Sequence, residues 1–176
     1  MFDVFFRRGN PTNQWTRTPG LSLAADLSEP SLNKTPLGSP LEAFSFLGRS
    51  SSKGAAPLLE FGELGLALEL AEDGTCSGFQ VVFDTPEPEF RRYEGTMSYH
   101  GFAVDAANLA DKCGDPYWED RDEDGSVLFY EFPDYEIQVE RSPERDVQRV
   151  ILSNRPLLAD AKARKALGVK RPWPPG

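Results

Sequence analysis

The run Asp120-Arg121-Asp122-Glu123-Asp124-Gly125-Ser126-Val127-Leu128-Phe129-Tyr130-Glu131 is the stretch of this chain whose residue types and spacing could do chemistry. It matches the calcium loop of an EF-hand. Asp120, Asp122 and Asp124 supply oxygens at positions one, three and five, Gly125 turns the chain at six, apolar Val127 stands at eight, and Glu131 is the bidentate ligand at twelve. The flanks oppose that geometry. Gly114-Asp115-Pro116 breaks the entering helix, and Val127 to Phe132 is rich in strand formers where an exiting helix belongs. The expectation is therefore a solvated acidic loop entering a strand. A calcium site built from Asp120, Asp122, Asp124 and Glu131 is the alternative. Tyr117-Trp118, beside the loop, have the composition of a protein-binding hot spot, with aromatic anchors amid charge.

Other chemistry is thinly supplied. His100 is the single histidine; no G-x-S-x-G elbow accompanies it, and no cysteine is flanked as a nucleophile would be. One His with Cys76 and Cys113 gives too few ligands for a zinc site of the usual type. The 28 acidic residues make some carboxylate pair inevitable, so a carboxylate-based hydrolase, with His100 as a candidate partner, is a third reading. Gly62-Glu63-Leu64-Gly65 lacks the following Lys-Ser or Lys-Thr of a phosphate-cradling loop.

The net charge of −9 argues against a nucleic-acid partner and an anionic membrane surface. Basic residues come only in short groups such as Arg7-Arg8 and Arg91-Arg92. Two cysteines without a C-x-x-C read as free buried thiols. The N-terminus does not read as a signal peptide, and no segment reads as a membrane span, so the expected address is the cytoplasm. Aromatics at 11%, twelve of them Phe, can supply a core, while fifteen Pro and fifteen Gly imply many turns.

The elements that must position these residues come from an internal repeat. An offset of 71 places Leu58-Leu59-Glu60-Phe61 over Phe129-Tyr130-Glu131-Phe132, Leu64, Leu66 and Leu68 over Tyr135, Ile137 and Val139, and Phe79 and Val81 over Val150 and Leu152. By this alignment Glu131 answers to Glu60. An offset of 66 places Ser39, Leu47 and Gly48 over Asp105, Cys113 and Gly114. Leu64 to Leu70 alternates as a strand with one wet face, Glu72-Asp73-Gly74 signals a turn, and Phe79 to Phe83 returns. Tyr135 to Val139, a turn at Ser142 to Arg145, and Val150 to Leu152 repeat that plan. Ser39-Pro40 starts a helix carrying Leu41, Phe44 and Leu47, and Gly48 ends it. Asp105 caps a second helix to Cys113. Pro156 to Leu167 reads as a third, with Asn154 as its cap. Val4-Phe5-Phe6 and Leu21-Ser22-Leu23 could be short strands.

A helix, then an antiparallel meander, occurring twice with Leu37-Gly38-Ser39-Pro40, Leu47-Gly48 and Gly114-Asp115-Pro116 at the junctions, resembles the tandem-repeat β-lactamase inhibitory proteins and the small lipoprotein of the barrel-assembly machinery. The resemblance rests on element order over residues 32–152. The lipidation cysteine, leader and within-unit disulfide pairs of those proteins have no counterpart here. It implies a curved sheet with helices on one side and a concave face able to dock another protein. The expected fold is therefore α+β: two tandem helix-plus-meander repeats forming a curved sheet, helices packed on one side. An N-terminal arm (1–31), unit one (32–83), a linker (84–96), unit two (97–154) and a C-terminal helix with a Pro-rich tail (155–176) make one compact domain. The expected function is a non-enzymatic interaction protein of inhibitor, immunity or assembly-factor kind. It would meet its protein partner through Tyr117, Trp118, Asp120, Asp122 and Asp124, with no cofactor unless calcium.

Overall fold

The computed structural model describes residues 9–53, 57–85 and 87–175; the strand expected at Val4-Phe5-Phe6 lies outside them, as do Gly54, Pro86 and Gly176. In chain order the strands are β1 (Ala24–Asp26), β2 (Ser31–Leu32), β3 (Thr35–Pro36), β4 (Leu58–Phe61), β5 (Leu66–Leu70), β6 (Cys76–Val82), β7 (Thr96–Tyr99), β8 (Phe102–Val104), β9 (Trp118–Arg121), β10 (Ser126–Glu131), β11 (Glu136–Arg141) and β12 (Val147–Ser153). They form a five-stranded sheet, β3-β2-β1-β7-β8, and a seven-stranded sheet, β4-β5-β6-β12-β11-β10-β9. The fold is mostly β, which corrects the expected α+β plan of two helix-plus-meander units with helices packed on a sheet.

The helices shrink for identifiable reasons. Leu41, Phe44 and Leu47 recur every third residue, which is the period of a 3-10 helix, and Leu41–Leu47 winds as one with those three side chains buried. Asp105 does cap, accepting from the amides of Ala107 and Asn108 at 2.9 and 3.0 Å, but it closes a turn, and α1 (Leu109–Cys113) has five residues. The third helix is split. A 3-10 turn, Leu157–Ala159, ends at extended Asp160, whose side chain then caps α2 (Ala161–Ala166) in place of Asn154.

What recurs at an offset of 71 is the β5–β6 hairpin. Leu66 opposite Val81, Leu68 opposite Phe79 and Glu69 opposite Gly78 become Ile137 opposite Leu152, Val139 opposite Val150 and Glu140 opposite Arg149. The ladder slips at the equivalent step in each hairpin, after Glu69 and after Glu140. The β6–β12 seam pairs Phe79 with Leu152, Gln80 with Ile151 and Val81 with Val150. Gln80 and Ile151 are themselves related by the offset, so the registers are those of a local pseudo-twofold axis through that pair.

The outer strand of each meander departs from the sequence alignment. Leu59 faces Leu68, whereas Val139, the equivalent of Leu68, faces Leu128. The counterpart of Leu59 is therefore Leu128 rather than Tyr130. A slip of two residues keeps every side chain on its face, so apolar alternation is blind to it. The second hairpin is longer in consequence. It carries an extra closing pair, Glu131 opposite Glu136, and Glu131 has no equivalent at Glu60.

The main core lies between the sheets. Leu59, Leu66, Leu68, Phe79, Val81, Ile137, Val139, Val150 and Leu152 meet Leu27, Leu32, Met97 and Val104 of the small-sheet region in one buried cluster. A second, smaller cluster lies on the outer face of the large sheet, where Tyr117 and Phe129 pack with Leu158 from the C-terminal segment. Cys76 and Cys113 are free thiols, and burial raises them to about 12 and about 11 respectively. Among the described residues no helix is long and apolar enough to cross a membrane.

Candidate functional site

The acidic run is a β-hairpin. Trp118 faces Phe129, Asp120 faces Val127 and Arg121 faces Ser126 across β9 and β10. Asp122 closes the turn by donating its amide to the Gly125 carbonyl at 3.1 Å, while its side chain accepts from Asp124 N at 2.9 Å. Gly125 has φ 146, and a Cβ there would collide with the Arg141 carbonyl. The glycine is thus explained by strand packing. Asp120, Asp122 and Asp124 are exposed at the hairpin end, and Glu131 ends β10 five residues from Ser126, about 17 Å away at strand rise. The four expected oxygen ligands are not brought together. Among the described residues no group of three or more His, Cys, Asp or Glu could hold a metal ion. Millimolar calcium is accordingly expected to leave the thermal melt within about 1 °C of that in chelator, since only a ligand gripped by the native state raises apparent stability.

Tyr117 and Trp118 are not free anchors. The Tyr117 hydroxyl is shared by the carbonyls of Arg171 and Pro172, each at 3.0 Å. Arg171 lies over its ring at 5.1 Å, and Trp173 meets the ring edge-on at 6.0 Å. Trp118 packs against the same cluster. The chain's own tail covers this aromatic face. The β9 edge presents Glu119, Asp120 and Arg121, a charged border that discourages strand addition.

Sequence reasoning missed a groove of about 1090 Å³ along the small sheet. Its floor is built by register. Parallel pairing sets Ala24 beside Thr96 and Asp26 beside Ser98, and Ser98 faces Ala103 on β8. These side chains are small, so an occupant can approach the backbone. Asp134, Tyr135 and Asn154 line it from the large sheet, and Glu29 and Lys34 from the turns of the small sheet. The small sheet's strands are too short for periodicity to reveal them, and only β1–β7 pairing brings residues 24–26 to 96–98.

Asp26 stays ionised in this groove. Burial works to raise its pKa but is outweighed by hydrogen bonds from Glu29 N, from Ser28 N and Oγ, and from Ser98, so the carboxyl lies below its ordinary value. The Ser28 hydroxyl donates to Asp26 at 2.9 Å and accepts the backbone N–H of His100 at 3.0 Å. The imidazole itself lies tilted against Tyr99, the ring centroids 4.3 Å apart. Asp26, Ser28 and His100 thus lock two loops together through backbone and hydroxyl. The ring is not placed as a base on the serine.

A carboxyl pair, Glu131 and Glu136, is buried on the outer face of the large sheet. Glu136 accepts the Leu157 amide at 2.7 Å and the Gln138 side-chain amide. Neither oxygen of Glu131 has a protein donor among the described residues. Burial first, then the Glu136 carboxyl beside it, push Glu131 up to about 9.

No protein-family model matches the chain, and no curated protein matches it. Among solved structures it is similar to a DUF4309 family protein, YjgB, from Bacillus subtilis subsp. subtilis str. 168, at 16% identity and TM-score 0.43, over 69% of this chain and 79% of that one. A likeness at that level carries no inference about function.

Proposed function

We propose that the protein is a non-enzymatic protein-binding module whose groove receives an extended, basic segment of its partner. The observation that carries this reading is the charge on the groove walls. Asp26, Glu29 and Asp134 contribute three carboxylates against the single ammonium of Lys34. The small-residue floor suits a chain lying close along it, and the acidic net charge favours encounter with a cation. Edge strand β8 adds a second support. Phe102 on that strand is 66% exposed, an apolar side chain of the kind that anchors interfaces. Two unpaired, protonated thiols support the reducing cytoplasm as its compartment.

The test uses a short peptide of alternating lysine and serine as probe. Glu29→Lys with Asp134→Lys is expected to weaken binding at least tenfold and to flatten its salt dependence. Ala103→Trp, which fills the floor, is expected to abolish binding with an unchanged melt. Equal affinity in all variants, or preference for an aspartate-serine peptide, would overturn the proposal.

A further inference from the structure

We propose that Glu131 and Glu136 form a proton-held latch. While one proton bridges the two carboxyls, the C-terminal segment from Leu157 to Pro175 stays seated on the outer face of the large sheet, and loss of that proton to solvent unseats it. The geometry behind this is direct. The two residues are opposite partners in the antiparallel β10–β11 ladder, at the closing pair that the first meander lacks. Opposed side chains stand roughly 5 Å apart at Cβ, close enough for a carboxyl to hydrogen-bond a carboxylate. The first residue of the overlying 3-10 turn, Leu157, donates its amide to Glu136, and the next, Leu158, is fully buried beneath the turn. The lid is therefore fastened to one member of the pair.

The elements around the pair bring it no compensating cation among the described residues. β12 places Ser153 opposite Glu136, and the Ser153 hydroxyl is occupied locally by Arg155, donating to its carbonyl and accepting its amide. β11 supplies the neutral amide of Gln138. Arg164 of α2 spends its guanidinium on the carbonyls of Leu158 and Ala159, at 2.6 and 2.8 Å. The charge that raises Glu131 is that of Glu136. A second negative charge here would be buried without a donor, opposite a like charge, which costs several kcal/mol unless water enters. Displacing the turn at Leu157 and Leu158 removes the Leu157 amide from Glu136 and opens the pair to water. The remainder of the segment can follow: α2 buries no residue, and beyond it the tail rests on the aromatic cluster through Leu167, Val169 and Trp173 and through the contacts of Arg171 and Pro172 with Tyr117.

Trp173 reports on the segment, and its emission is isolated by subtracting the spectrum of a Trp173→Phe protein. Between about pH 7 and about pH 9.5, below most tyrosine ionisation, Trp173 emission in the full chain is expected to shift red and its acrylamide quenching constant to rise at least twofold. The strand signal in far-UV circular dichroism should hold constant. Glu131→Gln, which keeps a hydrogen bond but has no proton to lose, is expected to show no transition. Glu131→Leu is expected to behave likewise should the glutamine variant misfold. The latch is overturned by a wild-type Trp173 signal that is flat over this range, by the same transition in these variants, or by loss of strand signal at the same pH.

Discussion

Truncation of Phe79 to alanine is expected to cost about 4 kcal/mol of folding stability, enough to lower the melting temperature by roughly 12 °C. Phe79 is fully buried and stands beside the pseudo-twofold axis, bonded to Leu68 on one side and Leu152 on the other. Removing the ring leaves a void at the seam where the two meanders join, and neighbouring strands are locked by their ladders against collapsing into it. Leu152→Ala is expected to cost about 3 kcal/mol for the same reason. Because the two side chains are opposite partners, the double variant should differ from the sum of the singles by about 1 kcal/mol. Chemical denaturation of the four proteins measures all three quantities. Losses under about 1 kcal/mol would mean that the seam is not the mechanical centre of the core.

Glu131→Gln is expected to do the opposite, raising stability at alkaline pH. A carboxyl whose folded pKa is raised holds its proton more tightly in the folded than in the unfolded chain. Its contribution is whole below the ordinary value of 4.5 and is lost progressively as pH rises to about 9, since over that window the unfolded state has already released the proton that the folded state retains. Wild-type stability should therefore fall across the window by about 2 kcal/mol, or roughly 5 °C, through this group, after allowance for residual solvent screening. Glutamine mimics the protonated acid, so its melting temperature should change less over the same range and exceed wild type near pH 8. Glu140, raised by burial against the opposing help of Arg149, contributes a slope of the same sign in both proteins and cancels from the comparison. Parallel melting curves from pH 5 to about 9 would show that Glu131 is ionised in the fold.

The latch and the groove are read by different signals and fail separately. Unseating the tail would expose Tyr117 and Phe129, whereas Asp26 and Glu29 line the groove from the small-sheet side. A protein whose Trp173 titrates but which ignores basic peptides would keep the first inference and lose the second.

Much of the large sheet was legible in the amino-acid order. The turn residues at Asp73-Gly74 and Ser142 to Arg145 and the 71-residue recurrence specified the β5–β6 and β11–β12 hairpins; the alternation read from Leu64 begins only at Leu66, after a 3-10 turn, and its second face is not wet, since Ala67 is buried. Polar hairpin ends, free thiols and helix stops at Gly48 and Gly114 were legible for the same local reasons. Tertiary structure alone decided the rest. The two-residue slip of β10 was invisible because it preserves facing, yet it created the Glu131–Glu136 pair. The parallel β1–β7 pairing joins stretches some seventy residues apart, through strands too short to carry a pattern, and it made the groove. Tyr117 read as a free anchor because composition cannot say which part of the same chain will lie on top of it. Local chemistry determines which residues extend, turn or cap; which of them meet depends on register and on the path of the returning chain, and at this protein's candidate sites that path was decisive.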